Sequence, residues 1–143
     1  MAPASEGRRV RKMGERLYVG IDLGTYQSTI ASSAGSIETI ETVVGRPKDP
    51  VARNMLGRDV LFGADALKNK LACTIYRPMA AGVAQDDEAN LAAAKAFVTH
   101  LVETVDPEEY DEVFGVICSP SHVSFTDKSN LVATLRGQVN AIM

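Results

Sequence analysis

Between Leu17 and Asp22 the chain reads Leu-Tyr-Val-Gly-Ile-Asp, with apolar residues at alternate positions and a lone acid at the end. That period of two predicts a half-buried strand. Gln27–Ser33 is a second run of the same kind, so the residues between form a tight hairpin turn. Ile37–Val44, Ile-Glu-Thr-Ile-Glu-Thr-Val-Val, resumes after Ala34-Gly35-Ser36 and predicts the third strand of an antiparallel meander.

Further along, the period changes. Leu91, Ala94, Phe97, Val98, Leu101, Val102 and Val105 recur at steps of three and four, which places one apolar stripe on a helix spanning Asp86–Val105. Asp86, Asp87 and Glu88 suit the positive end of its dipole, and Pro107 stops it. Glu112–Cys118 is short and mostly apolar, as expected of a strand buried on both faces, and Pro120 ends it. Ser124 and Asp127 resemble a capping box, followed by a final helix lined by Leu131, Leu135, Val139 and Ile142.

Two stretches break the pattern. Met1–Arg16 has almost no apolar content and a basic cluster, Arg8-Arg9-Val10-Arg11-Lys12; it reads as a disordered, solvated tail, because Val10 and Met13 cannot build an amphipathic face for a membrane surface. Gly45–Gly57 holds two prolines and two glycines and marks a change of unit. Beyond it come a short strand, a helix beginning near Gly63, and a connector from Thr74 to Gln85. The order is β-β-β, an inserted small unit, then α, β, α.

Composition narrows the class. The 143 residues are 45% hydrophobic and 23% charged, as in ordinary globular domains, and the net charge of −3 argues against a partner of nucleic acid. No apolar run is long enough to span a bilayer, so no direct membrane insertion is expected. The first sixteen residues lack the apolar core of a signal peptide. Cys73 and Cys118 form no CxxC pair, which suggests reduced thiols in a cytoplasmic protein.

The clearest chemistry lies at the hairpin tip, Asp22-Leu23-Gly24-Thr25. A glycine there can take backbone angles closed to other residues and lets a ligand approach the main chain. Successive N–H groups in such a turn form a nest for an anion, and the Thr25 hydroxyl adds a donor. A bare carboxylate would repel a phosphate unless a cation lay between them. Asp22 therefore fits an acid facing hydrated Mg2+, which keeps several waters and takes carboxylate and phosphate oxygens. The competing view is a structural turn whose Asp caps backbone groups.

Gly-Ile-Asp-Leu-Gly-Thr at a first hairpin resembles the first phosphate loop of the actin, Hsp70 and sugar-kinase superfamily. Val43–Asp49, Leu56–Leu67, Tyr76–Val83 and Gly115–Val123 follow in the order and approximate spacing of bacterial actins, most closely the MamK/MreB group. The resemblance implies an α/β, RNase H-like (actin-like ATPase) fold. Residues 1–16 would be the tail, 17–45 and 78–143 subdomain IA, and 46–77 the small inserted subdomain IB. It also implies ATP and Mg2+ as cofactors, with Asp22 meeting the metal through water and Gly24 and Thr25 touching the β- and γ-phosphates. Leu23 and Tyr26 complete the loop. Tyr26 departs from the small residue usual there, so its ring either crowds the phosphates or swings out to solvent.

By the same resemblance the complete protein would self-associate into cytoskeletal filaments in the cytoplasm, of magnetosome-organising or cell-shape type, and hydrolyse ATP to ADP and phosphate. The chain would be its N-terminal half, without the glutamate that positions the attacking water, the second phosphate loop or the adenosine-binding segment. Alone it is expected to bind nucleotide weakly, hydrolyse it hardly at all and form no filament. Two alternatives are an Hsp70-type chaperone fragment, against which stands the absence of a catalytic-lysine segment, and a non-catalytic module that binds a full-length actin-like partner.

Other chemistry-bearing residues weigh less. His100 and His122 lack a second ligand at useful spacing and read as structural. Ser119 and Ser121 flank Pro120 without a G-x-S-x-G elbow. Asp106–Glu112 reads as a solvated acidic loop, Cys118 as a buried small hydrophobe, and Lys68 and Lys70 as exposed helix residues.

Overall fold

The computed structural model describes residues 12–79 and 88–118 together with 129, 132, 133, 135–137, 139, 141 and 142. Its larger sheet has the strand order β3-β2-β1-β7-β8. β1 (Lys12–Leu23) and β2 (Gln27–Ser32) are antiparallel, as are β2 and β3 (Ile37–Glu41), which gives the expected meander. β7 (Tyr110–Cys118) lies parallel to β1, and β8 (Ala141–Ile142) parallel to β7.

The alternation in β1 decides which face is inside. Leu17, Val19, Ile21 and Leu23 are buried, while Tyr18, Gly20 and Asp22 lie on the other face. Against the buried face packs α3 (Glu88–Glu103), through Phe97, Val98, Leu101 and Val102. The stripe starts at Ala93 and Ala94; Leu91, expected within it, is 43% exposed. Asp86 and Asp87 lie outside the described residues.

The small unit is a second sheet, order β5-β4-β6, built from β4 (Val44–Pro47), β5 (Leu61–Phe62) and β6 (Cys73–Tyr76). Two short helices, α1 (Pro50–Leu56) and α2 (Gly63–Lys68), complete it. The expected third strand is therefore split. Thr42 and Val43, both fully buried, are the crossing between sheets. The prolines and glycines of 45–57 conceal α1: Asp49 caps it by accepting the Ala52 N–H at 2.8 Å, and Pro50 takes the first turn, where no N–H is needed. Where the connector was expected to begin, Cys73–Tyr76 form a strand because β4 offers them a backbone ladder. Lys68 and Lys70 are exposed, as expected.

Five further expectations are corrected. The tail does not extend to Arg16: Lys12–Arg16 continue β1 alongside β7, with a register irregularity between Lys12 and Arg16. Polar contacts hold this extension, which is why apolar periodicity missed it. Lys12 Nζ donates to the Tyr110 hydroxyl at 2.9 Å, the Gly14 N–H donates to the Asp111 carboxylate at 2.5 Å, and Arg16 pairs with Glu112 at 2.7 Å. These contacts hold the Lys12 and Arg16 pKa values above their ordinary ranges. For the same reason Asp106–Glu112 is not a solvated loop throughout: Pro107–Glu109 form a single 3-10 turn, and Asp111 and Glu112 belong to β7.

β7 is also not buried on both faces. Val113 and Gly115 point inward, whereas Val116 is 43% exposed and Cys118 is exposed, so Cys118 is not a buried hydrophobe. The final helix does not run to Ile142. Residues 132, 133 and 135 are helical and Leu135 is buried, but Gly137 adopts φ +95° and ends the helix. Ala141 and Ile142 then pair with Phe114 and Gly115 on the free edge of β7. Leu131, the Ser124–Asp127 box, Ser119, Ser121 and His122 lie outside the described residues.

Candidate phosphate-binding hairpin

The turn Gly24–Tyr26 joins β1 to β2 at the carboxyl end of β1. Its underside is locked. Leu23 is buried and directs its side chain into the core, leaving only its main chain for a ligand. Ser28, the register partner of Leu23, is buried with Thr42, and their hydroxyls lie 2.8 Å apart. The Thr42 N–H donates to the Tyr26 carbonyl at 2.8 Å and ties the turn to the sheet crossing. Each buried polar group thus has a partner, so the turn is held without help from a ligand.

Gly24 is needed here for space. A Cβ at this position would sit 2.2 Å from the Gln27 carbonyl oxygen, far inside van der Waals contact. The expected use of left-handed backbone angles is not found, because Gly24 is not among the residues with positive φ. The turn instead folds so tightly that its first residue touches the carbonyl of the strand that follows.

Above the turn the groups are open. Thr25 is exposed, and the Tyr26 ring is 75% exposed, so it swings out to solvent and does not crowd the turn. Asp22 is exposed on the outer face of β1. Its register partners are Thr29 on β2 and Cys118 on β7. Among the described residues no side chain hydrogen-bonds or ion-pairs with the Asp22 carboxylate. An exposed carboxylate at a strand end next to a tight glycine turn, with no cation beside it among the described residues, suits a hydrated metal ion. The residues present therefore fit Mg2+ held through water.

No group of three or more His, Cys, Asp or Glu side chains able to enclose a metal directly occurs among the described residues. A shallow concavity of about 650 Å3 lies at the opposite end of β1, lined by Gly14, Glu15, Arg16, Tyr18, Asp111 and Glu112. It carries no argument for catalysis: Arg16 and Glu112 already neutralise each other, and Tyr18 stacks on Phe114 with centroids 5.5 Å apart. His100 stacks on Phe62 and faces neither feature. What the sequence left unseen at the hairpin is the outer row Cys118, Asp22, Thr29 and Thr39, which only strand register assembles.

No protein-family model matches the chain. It is 33% identical over 129 residues to the actin-like protein MamK of Paramagnetospirillum magneticum, and 32% identical over 129 residues to that of Magnetospirillum gryphiswaldense. Each alignment takes in 90% of this chain; the chain spans 37% and 35% of those relatives. Among solved structures, the MamK double helical filament superposes with a TM-score of 0.84 at 31% identity over 90% of the chain. A non-polymerising MamK mutant bound to AMPPNP gives 0.82 at 29% identity. MreB5 of Spiroplasma citri bound to ADP shares the fold, with a TM-score of 0.68 at 15% identity.

Proposed function

Because this chain is homologous to the MamK-type bacterial actin-like proteins over nine-tenths of its own length and shares their fold, we propose that it supplies the first phosphate-binding hairpin of an ATP-dependent actin-like filament protein. The observation that carries this reading is the hairpin itself. Gly24 leaves no room for a side chain against Gln27, while Asp22 stands exposed at the strand end with no side-chain partner among the described residues.

In that function each residue has a distinct task. Gly24 and Thr25 would hold the β- and γ-phosphates through main-chain N–H groups, with the Leu23 main chain beside them, and the Thr25 hydroxyl would add a donor. Asp22 would hold Mg2+ through water, so that phosphate and carboxylate would share one cation and would not repel. Tyr26 stays outside the phosphate contacts. Mg2+ supplies charge neutralisation to the phosphates when bound.

The two sheets correspond to the proposed subdomains. On this reading the large sheet and α3 belong to subdomain IA, and the sheet of β4, β5 and β6 to subdomain IB. Hydrolysis of ATP and assembly into a cytoplasmic filament, of magnetosome-organising or cell-shape type, are assigned to the complete protein. The filament-forming relatives favour this reading over an Hsp70-type chaperone.

Isothermal titration of the chain with ATP, with and without Mg2+, tests the hairpin. Binding that requires Mg2+ and is lost in Asp22→Ala supports it. Binding unchanged by that substitution removes Asp22 from the site.

A further inference from the structure

Thr29 is the direct antiparallel partner of Asp22. Residues paired in this way point to the same face, with Cβ atoms about 4.5–5.5 Å apart. The burial pattern confirms which face: Ser28 and Ile30, on either side of Thr29, are buried, as are Ile21 and Leu23 on either side of Asp22. The Thr29 hydroxyl is therefore the protein group placed beside the Asp22 carboxylate on the β2 side. It is also held in place, because Thr29 Oγ1 lies 2.9 Å from Thr39 Oγ1 on β3. The buried hydroxyl pair of the hairpin is a separate one, between Ser28 and Thr42.

We propose that Thr29 is a second anchor for the hydrated cation, a positioning residue that accepts a hydrogen bond from a metal-bound water while Asp22 accepts from another. This rests on the reading of the hairpin as a Mg2+–phosphate site. The chemistry follows from what a hydroxyl can do. A threonine has one proton and two lone pairs. If Thr29 donates its proton to Thr39, its lone pairs face outward as acceptors, and the waters of a divalent cation are strong donors. A Mg2+ ion keeps several of its waters, so its outer sphere is wide enough to meet two neighbouring side chains across a strand pair. One carboxylate fixes the charge of the site; carboxylate and hydroxyl together fix the direction in which the ion sits relative to the turn.

The test is an NMR titration of the 15N-labelled chain with ATP to millimolar concentration, with and without Mg2+. Thr29→Val keeps the β-branched shape and removes the hydroxyl. Thr29→Ser keeps the hydroxyl. Asp22→Asn is the reference. We expect Thr29→Val to weaken Mg2+-dependent ATP binding about three- to tenfold, the worth of one net hydrogen bond. ATP binding without Mg2+ should be unchanged, and Thr29→Ser should lie close to the native affinity. Weakened binding in Asp22→Asn, with Thr29→Val within twofold of native, overturns the role of Thr29 and leaves the hairpin site standing. Equal weakening with and without Mg2+ in Thr29→Val also overturns it, since a purely structural role would do that. Native chain showing no shifts at Asp22–Tyr26 overturns the site and this role together.

Discussion

The imidazole of His100 lies flat against the ring of Phe62, with centroids 4.1 Å apart and planes within 7° of parallel. His100 belongs to α3 of the large unit and Phe62 to β5 of the small one, so this stack is a fastening between the two sheets. Phe62 also packs against the main core, which takes in Val44 at the start of the small sheet. The two units are thus joined by shared apolar packing as well as by the crossing at Thr42 and Val43.

That stack has a pH dependence. Burial lowers the His100 pKa below its ordinary value, and Glu103 opposes the shift only in part. The unfolded chain therefore binds the proton more readily than the folded one. Stability from this site is complete above the ordinary histidine value of about 6.5 and is lost as the pH falls below it. Thermal melts from pH 7.5 to 5.5 should show a falling midpoint, and His100→Phe should flatten that fall. A midpoint equally steep in His100→Phe would assign the dependence to other groups.

Gly24→Ala tests the tightness of the turn. The new methyl would meet the Gln27 carbonyl at 2.2 Å, and that neighbour is backbone, so the turn has to open. The expected cost is about 1–3 kcal/mol in urea unfolding, together with loss of Mg2+–ATP binding. Native stability in the variant would show that the turn relaxes freely.

Among the described residues, Phe97 is the largest fully buried side chain. Phe97→Ala should cost about 3–5 kcal/mol, read as a lower urea midpoint with little change in slope. A cost below about 1 kcal/mol would mean that α3 does not hold the sheet in the way its packing indicates.

The two thiols should differ in reactivity. Cys118 is exposed at the end of β7, beside Asp22 in register, whereas Cys73 is only 2% exposed within the small core. Mass spectrometry after brief alkylation of the native chain should find Cys118 modified and Cys73 intact until denaturant is added. Equal labelling would place Cys73 at the surface.

Where apolar periodicity was strong, the elements were legible. β1 from Leu17, β2 and α3 follow from alternation or from the three- and four-residue stripe, because each lays one face on a common core. The turn between β1 and β2 was legible because Asp22, Gly24 and Thr25 fall together between two alternating runs. What escaped is carried by polar or long-range contacts. Lys12–Arg16 join the sheet through Tyr110, Asp111 and Glu112, almost a hundred residues away in sequence. Gly137 cuts short a helix whose apolar pattern continues past it to Ile142. The pairing of Asp22 with Thr29 depends on register, which no local pattern records.

The most direct measurement of the hairpin's role is paramagnetic mapping. Mn2+ in place of Mg2+, added with saturating ATP to the 15N-labelled chain, broadens the amide signals nearest the metal. A phosphate–metal site at the hairpin predicts loss of the Asp22–Gln27 and Thr29 signals, with Gly14–Arg16 and Asp111–Glu112 retained. Broadening at the opposite end of β1, with Asp22–Gln27 sharp, would contradict it.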